Sequence, residues 1–262
     1  MLSAGASAPA LSTDIEDVTS APVRERAFTV HRLNYYFDRK LPGSVEKEAW
    51  AGGGWLAYDS GWFSNLLRIG LVGYTSQPIW APDNKDGTLL LEPGQHGYSV
   101  LGQAYGSLKL LDQVFTGYRQ SVDQPEVNPQ DNRMTPNTFE GYTLAGKVYE
   151  IDYFGGYLDK MKTRNADTFR NFATVAGAPP GVEEAMWLGG LSFSPTKDVT
   201  LRLSNYHVPN ILTSTYSDAS WLATLSEEYK LRLGGQYMYQ SSAGDDLLTG
   251  SSFHTWSSGA KA

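Results

Sequence analysis

The 262-residue sequence lacks cysteine, has little charge and contains no long apolar run. The absence of cysteine rules out disulfides and fits a compartment in which thiols oxidise. Charged residues make up 19% of the chain, below the roughly 25% that is usual for soluble domains. No stretch approaches the roughly 18 consecutive apolar residues of a transmembrane helix. The formal net charge of -7 argues against a nucleic-acid partner.

Motifs of catalysis and metal binding are also missing. The four histidines are scattered without metal-ligand spacing: His31, His96, His207 and His254. No nucleophile elbow of a hydrolase is present. The run at 83–87 resembles the start of a calcium loop but lacks the distal glutamate, so we interpret it as a surface loop. We therefore predict no enzymatic activity, no cofactor and no metal.

The strongest positive signal is a period-2 alternation of apolar and polar residues. In the clearest segment, Tyr229, Leu231 and Leu233 fall on one face of a strand, while Lys230 and Arg232 fall on the other. The segments at 98–108, 149–157 and 185–193 repeat this alternation. A soluble sandwich would bury the apolar face, whereas a membrane barrel would point it at lipid. The count of 16 tyrosines against 10 phenylalanines favours lipid, because rings at a headgroup boundary need one wet end.

Tight turns alternate along the chain with long polar loops, which is typical of an up-and-down β-barrel in an outer membrane. The predicted strands lie near 27–37, 48–59, 66–75, 98–110, 113–120, 139–147, 149–160, 184–194, 199–208, 214–225, 229–240 and from Phe253 onward. The long loops lie at 76–97, 121–138 and 162–181. We predict an all-β, antiparallel transmembrane β-barrel over 27–262, preceded by a flexible lead-in at 1–26.

The ends of the chain predict an incomplete barrel. The twelfth strand begins near Phe253 and alternates only briefly, and no signal peptide is visible near Met1. Closure is what satisfies the backbone of the first and last strands of a barrel. We therefore expect a fragment whose sheet remains open.

Two motifs resemble the OprD family of outer-membrane porins. The run Leu-Asn-Tyr-Tyr-Phe-Asp-Arg at 33–39 is similar to the family's first strand, and 132–141 has the Arg-x-x-Pro-x-Thr-x-x-Gly spacing of its pore segment. The resemblance implies a monomeric barrel of about 18 strands with a narrow eyelet, of which this chain supplies about two-thirds. It also implies uptake of small solutes, usually carboxylates, along a ladder of arginines that faces acidic groups.

The resemblance places Arg133 at the eyelet, in a loop stiffened by prolines, and Arg39 at the end of the first strand. Alternation adds five candidates for the lumen face: Arg202, Lys230, Arg232, Glu150 and Asp152. Arginine suits a carboxylate because its planar fork binds two oxygens and stays charged. The position of Arg39 is open, since alternation from Leu33, Tyr35 and Phe37 aims it at lipid unless the strand ends first.

Each candidate has a structural alternative. Arg133 could pair with Asp131 or Glu140, and the basic residues at 202, 230 and 232 could form the solvated face of a soluble sheet. The two acidic candidates could be structural partners. We predict that the loop at 121–138 folds inward and narrows the lumen.

The predicted function is that of an outer-membrane porin through which small solutes diffuse along an arginine-lined pore. Its predicted partners are outer-membrane lipid and small anionic or carboxylate solutes, and the pore is expected to be monomeric. Two other functions stay open from the sequence: an outer-membrane barrel enzyme of the lipase or protease type, and a soluble all-β carbohydrate-binding protein. An enzyme would need a catalytic cluster at the barrel rim.

Overall fold

The fold is an antiparallel β-sheet in the computed structural model, which describes residues 26–226 and 229–262. Its strands are β1 (Ala27–Arg39), β2 (Lys47–Asp59), β3 (Leu67–Trp80), β4 (Tyr98–Leu110), β5 (Gln113–Gln120), β6 (Thr138–Val148), β7 (Ile151–Lys162), β8 (Arg170–Asn171), β9 (Met186–Thr196), β10 (Val199–Val208), β11 (Leu212–Thr224), β12 (Lys230–Ser242) and β13 (His254–Lys261). The order in the sheet follows the chain, except that β8 pairs only with β7. The predicted lead-in at 1–26, apart from Arg26, lies outside the described residues.

The all-β, up-and-down prediction is confirmed, with twelve long strands where twelve were predicted. The short β8 and the one-turn helix α1 (Phe172–Ala176) inside the third long loop were not predicted. Helix α1 is capped by Asn171, whose Oδ1 accepts a hydrogen bond from the Ala173 amide at 3.0 Å. Within the described ranges, no helix is long and apolar enough to cross a membrane.

Tight turns join strands at one end of the sheet, and longer loops join them at the other. The turns include the residue pairs at 111–112, 149–150 and 197–198, and the longest loops span 81–97, 121–137 and 163–185. We call these the turn end and the loop end. Among the described residues, β1 pairs only with β2 and β13 only with β12, so the sheet is unclosed, as predicted.

The outer face of the sheet carries large apolar side chains in register. Across three neighbouring strands, Tyr153 pairs with Leu191, which pairs with Leu203. Leu191 and Leu203 are both about half exposed. Nearer the loop end, Tyr157 and Trp187 form an edge-to-face pair with ring centroids 4.8 Å apart. This pattern of exposed apolar residues with aromatic rings towards the end of the strands is that of a lipid-facing barrel wall.

The inner face is the one against which the loop at 121–137 packs, and it is partly apolar. Val122 and Val127 of this loop are buried against Phe139, Leu158 and Tyr206 of the wall. A strand can therefore have an apolar inner face wherever it meets the loop.

This packing corrects the predicted orientation of two strands. Tyr98 is 4% exposed, and Val100 packs on an inner cluster around Tyr74. The face of Tyr98 and Val100 was predicted to meet lipid, and for these two residues that prediction is wrong. Beyond a register shift next to Gly102 the predicted alternation holds, because Ser107 is buried and Leu108 pairs with the exposed Phe115. In β1, Phe37 and its face likewise pack against the loop cluster that contains Met134.

Candidate functional site

The loop at 121–137 reaches two distant parts of the sheet. At one end, Met134 is 2% exposed and packs with Ala49 of β2 and with Leu90 of the preceding long loop. At the other, the Ser214 hydroxyl of β11 donates to Glu126 Oε1 at 2.8 Å. The Glu126 amide also donates to the Tyr206 hydroxyl of β10 at 3.4 Å. These contacts hold both parts of the loop against the inner face.

Arg133 lies beside Met134 and is held by backbone oxygens. Its Nε donates to the Thr88 carbonyl at 2.9 Å, and its Nη1 donates to the Asn132 carbonyl at 2.7 Å. Its guanidinium carbon lies 4.8 Å from the centroid of the Phe37 ring. Within the described part of the chain, Arg133 forms no ion pair, so neither Asp131 nor Glu140 is its salt-bridge partner. Within the described residues, two of its five N–H donors are engaged, and the other donors can bind a ligand.

Arg39 converges on the same ring from the end of β1. Its guanidinium carbon lies 6.0 Å from the Phe37 centroid. Because Phe37 packs towards the loop and Arg39 follows it by two residues, Arg39 belongs to the inner face. The expectation that alternation aims this residue at lipid is therefore wrong, since it treated the apolar face of β1 as the outer one.

Arg164 joins these cations, although the sequence had not singled it out. Its Nη1 donates to Asn132 Oδ1 at 2.5 Å, and its amide donates to Asn137 Oδ1 at 2.9 Å. Burial and then the neighbouring charge of Arg133 lower the pKa of Arg164. Arg39, Arg133 and Arg164 therefore form a cation cluster at the loop end of the inner face, and we call it the arginine cluster. Among the described residues, none of the three has an acidic partner.

The other basic candidates lie on the same face, towards the turn end. Arg202 binds Asp218 on the neighbouring strand, with Nε 2.9 Å from Oδ2 and Nη2 3.1 Å from Oδ1. The register continues this row through Ser192 to Asp152. Asp152 in turn lies 3.7 Å from Lys147 Nζ. Arg202 and Asp152 therefore lie on one face of the sheet.

Lys230 and Arg232 occupy the turn end of β12, in alternation with Gln236, which pairs with Asp218. They therefore share the inner face, and both are exposed. A further ion pair at the turn end joins Arg68 to Asp59, with Arg68 Nε 3.1 Å from Asp59 Oδ1. Paired charges thus recur along this end of the wall.

The strand position predicted for Glu150 is wrong. Tyr149 and Glu150 form the two-residue turn between β6 and β7, and Tyr149 has a φ of 54°. Glu150 therefore lies at the edge of the sheet rather than on the polar face of a strand. The predicted strand began two residues too early because aromatic residues are uncommon at positive φ.

One group of carboxylates could hold a cation. Oxygens of Asp38, Glu46 and Glu48 lie within 4.8 Å of one another. The Lys85 ammonium lies 3.1 Å from Glu46 and also pairs with Glu48, and these hydrogen bonds raise the pKa of Lys85. Lys85 belongs to the calcium-like run at 83–87, and its ammonium already occupies oxygens of Glu46 and Glu48. We assign no metal to it.

Comparison with known proteins agrees with the up-and-down β-sheet described above. Residues 23–262 match the sequence model of the outer membrane porins of the OprD family. The chain belongs to the OprD family. This confirms the resemblance drawn from the motifs at 33–39 and 132–141. No match was found among curated proteins.

Solved structures of OprD-type porins share this fold. OccK9 (OpdG) of Pseudomonas aeruginosa superposes with a TM-score of 0.77 at 19% identity, covering 91% of this chain and 65% of its own. A BenF-like porin of Pseudomonas fluorescens gives 0.75 at 18% identity, covering 90% of this chain and 63% of its own. OpdK of Pseudomonas aeruginosa, crystallised with vanillate, gives 0.74 at 17% identity, covering 90% and 64%. The chain spans less than two thirds of each of these structures.

Membership of the OprD family places the chain in the bacterial outer membrane, as predicted. It overturns the alternative of a soluble carbohydrate-binding protein, which would bury residues such as Leu191 and Leu203 between two sheets. The matched family is one of porins rather than of enzymes.

Proposed function

We propose that the chain forms part of the wall and constriction of an outer-membrane channel for small anionic solutes, carboxylates above all. The observation that carries this proposal is the arginine cluster. Three guanidiniums converge at the loop end of the inner face without an acidic partner among the described residues, whereas Arg68 and Arg202 at the turn end are paired.

The physical reason lies in dehydration. A carboxylate that enters a narrow passage loses part of its water, and fixed positive charges compensate for this loss. The donors that Arg133 leaves unused fit the two oxygens of a carboxylate. The vanillate in the OpdK structure is an anion of this kind and supports the same choice of solute here.

We further propose that the loop at 121–138 is the element that narrows the lumen. Its support is that Met134 reaches the β1–β2 side of the sheet while Glu126 reaches β10 and β11. Arg202, Lys230, Arg232 and Asp152 would then set the field along the wall beyond the constriction. The monomeric state of the pore stays a prediction.

Replacement of Arg133 by alanine in the full-length protein tests the proposal. We expect a higher single-channel conductance, because a bulky side chain leaves the narrowest point. The uptake of carboxylates relative to neutral solutes of similar size should fall about fivefold, the factor that about 1 kcal/mol of charge interaction at contact distance produces. Bilayer recording and liposome uptake provide both numbers.

Two further variants sharpen the test. Arg133→Lys should keep most of the anion preference, because it keeps the charge and loses only the two-point geometry. Arg202→Ala is the matched control: its guanidinium is already paired with Asp218, so its loss should change the uptake ratio much less. Unchanged conductance and an unchanged ratio in Arg133→Ala would contradict the assignment.

A further inference from the structure

The side chain of Lys162, at the end of β7, is fully buried. Its Nζ donates to the Pro136 carbonyl at 2.9 Å, the Thr163 carbonyl at 3.0 Å and the Thr135 hydroxyl at 3.1 Å. Three acceptors match the three N–H donors of a lysine. The nitrogen also lies 5.8 Å from the centroid of the Tyr74 ring. Two of the three acceptors belong to the loop at 121–137 and the third to the segment that carries Arg164.

The same acceptors tie further segments together. The Thr135 hydroxyl lies 2.9 Å from the Tyr98 hydroxyl of β4 and donates to the Arg164 carbonyl at 3.1 Å. The Tyr98 hydroxyl also donates to that carbonyl at 2.9 Å. Lys162 therefore stands at the junction of the loop, the inner wall at β4 and the start of the 163–169 segment.

Burying a lysine side chain costs desolvation free energy, whereas burying an apolar side chain does not. An ammonium loses its hydration on burial, and this loss is offset only when hydrogen bonds or charges replace the water. Among the described residues, no carboxylate lies within ion-pair distance of Lys162, so its oxygen acceptors carry this compensation. An apolar side chain of similar length would pack there without that requirement, but it could not fix the positions of three oxygens.

We infer that Lys162 is a positioning residue for the arginine cluster. Arg133 lies two residues before Thr135, and Arg164 lies one residue after Thr163. The hydrogen bonds that Lys162 donates to these two threonines, which we call the clamp, therefore fix the backbone that carries each guanidinium. Without the clamp, the guanidiniums of Arg133 and Arg164 would keep their charges but lose their fixed positions. This inference rests on the proposed function, because the readout of position is selectivity at the constriction.

The test compares three variants of the full-length protein in bilayers and liposomes. Lys162→Met keeps the length of the side chain and removes the clamp. Thr135→Val removes one acceptor, keeps the lysine charge and serves if the first variant fails to fold. Lys160→Met, on the same strand, is the control, because Lys160 is partly exposed and pairs with Glu140 and Asp159 instead. Heat-modifiable mobility on gels checks that each variant folds.

We expect the first two variants to show larger open-channel current fluctuations and the control to show none. Their carboxylate-to-neutral uptake ratio should fall by about two- to tenfold, the factor that corresponds to the ordering of one long side chain. Combining Lys162→Met with Arg133→Ala and Arg164→Ala should give no further fall, because the clamp acts through these two arginines.

The outcomes separate the clamp from the proposed function. An equal fall of the ratio with and without the two arginines, or an unaltered channel in Thr135→Val, would show that Lys162 acts only as a distant charge and would overturn the inference. If Arg133→Ala itself leaves the carboxylate-to-neutral uptake ratio unchanged, the proposed function is contradicted. The open-channel current fluctuations are then the readout that tests the positioning role of Lys162. Fluctuations that rise in Lys162→Met and Thr135→Val but not in Lys160→Met would then still support it, and their absence would refute it.

Discussion

Arg202 and Arg133 lie at opposite ends of the inner face, and their positive charges are compensated in different ways. At the turn end, Arg202 forms a two-point ion pair with Asp218, and Lys147 lies near Asp152. At the loop end, Arg133 is held by two backbone carbonyls and by the face of Phe37. Carbonyls and rings orient a guanidinium without cancelling its charge.

This difference separates two uses of the same residue type. An arginine whose fork is filled by a carboxylate contributes to the cohesion of the wall and presents little net charge to a passing ion. An arginine held only by dipoles keeps its charge for a solute. The positions of the acidic residues, rather than those of the arginines, therefore indicate which arginines have a charge available to bind an anionic solute.

Introducing an acidic residue next to the arginine cluster should have the largest effect on the uptake of carboxylates. In Asn132→Asp, the new carboxylate would accept from Arg164, whose Nη1 already lies 2.5 Å from Asn132 Oδ1. We expect the carboxylate-to-neutral uptake ratio to fall about tenfold, which corresponds to about 1.4 kcal/mol.

A charge added elsewhere in the same loop controls for this change. Gln124→Glu alters the net charge by the same amount and should leave most of the ratio intact. If both variants reduce uptake equally, overall charge rather than the arginine cluster sets the preference.

Removing an acid from the turn end should have a smaller effect of opposite sign. Asp218→Asn leaves Arg202 without its carboxylate, so this part of the wall comes to resemble the loop end. We expect the anion-to-cation permeability ratio to rise by about twofold, since exposed ion pairs contribute only about 0.2–1 kcal/mol. Reversal potentials in a salt gradient measure it, and a ratio that falls would contradict the comparison.

The smallest effect concerns the anchor of the loop on β11. Burial raises the pKa of Glu126 above its ordinary value of 4.5, although the hydrogen bond from Ser214 opposes this. A raised pKa means that docking is firmest below pH 4.5 and weakens as pH rises through the raised value. Open-channel fluctuations should therefore grow slightly from acidic to neutral pH. Glu126→Gln should abolish this pH dependence, and an identical pH profile in the variant would exclude Glu126 as its source.

The sequence predicted the sheet well because alternation and turn spacing are local properties of the chain. It failed on β1, where Phe37 is apolar yet faces inward. Lipid and a packed loop are both apolar surroundings, so hydropathy alone does not separate them. The same limit explains the wrong face at Tyr98.

Prediction of the site was uneven for a related reason. Arg133 was singled out through a motif, and its role at the constriction stays a prediction. Arg164 carried no local signal, because its contact with Asn132 spans 32 residues and depends on the fold. Lys162 resembled any charge at the end of a strand, and only its burial distinguishes it.

The apolar side of the loop at 121–137 has a consequence for adaptation. Val127 and Met134 are buried against the wall, so replacing Met134 by alanine would cost about 2–5 kcal/mol of stability. Asn132 and Gln130 of the same loop are exposed, where substitutions usually change stability by less than about 0.5 kcal/mol. Under the proposed function, new solute preferences are therefore accessible through the exposed rim of the loop, while its buried side constrains how far the passage can be widened without loss of the fold.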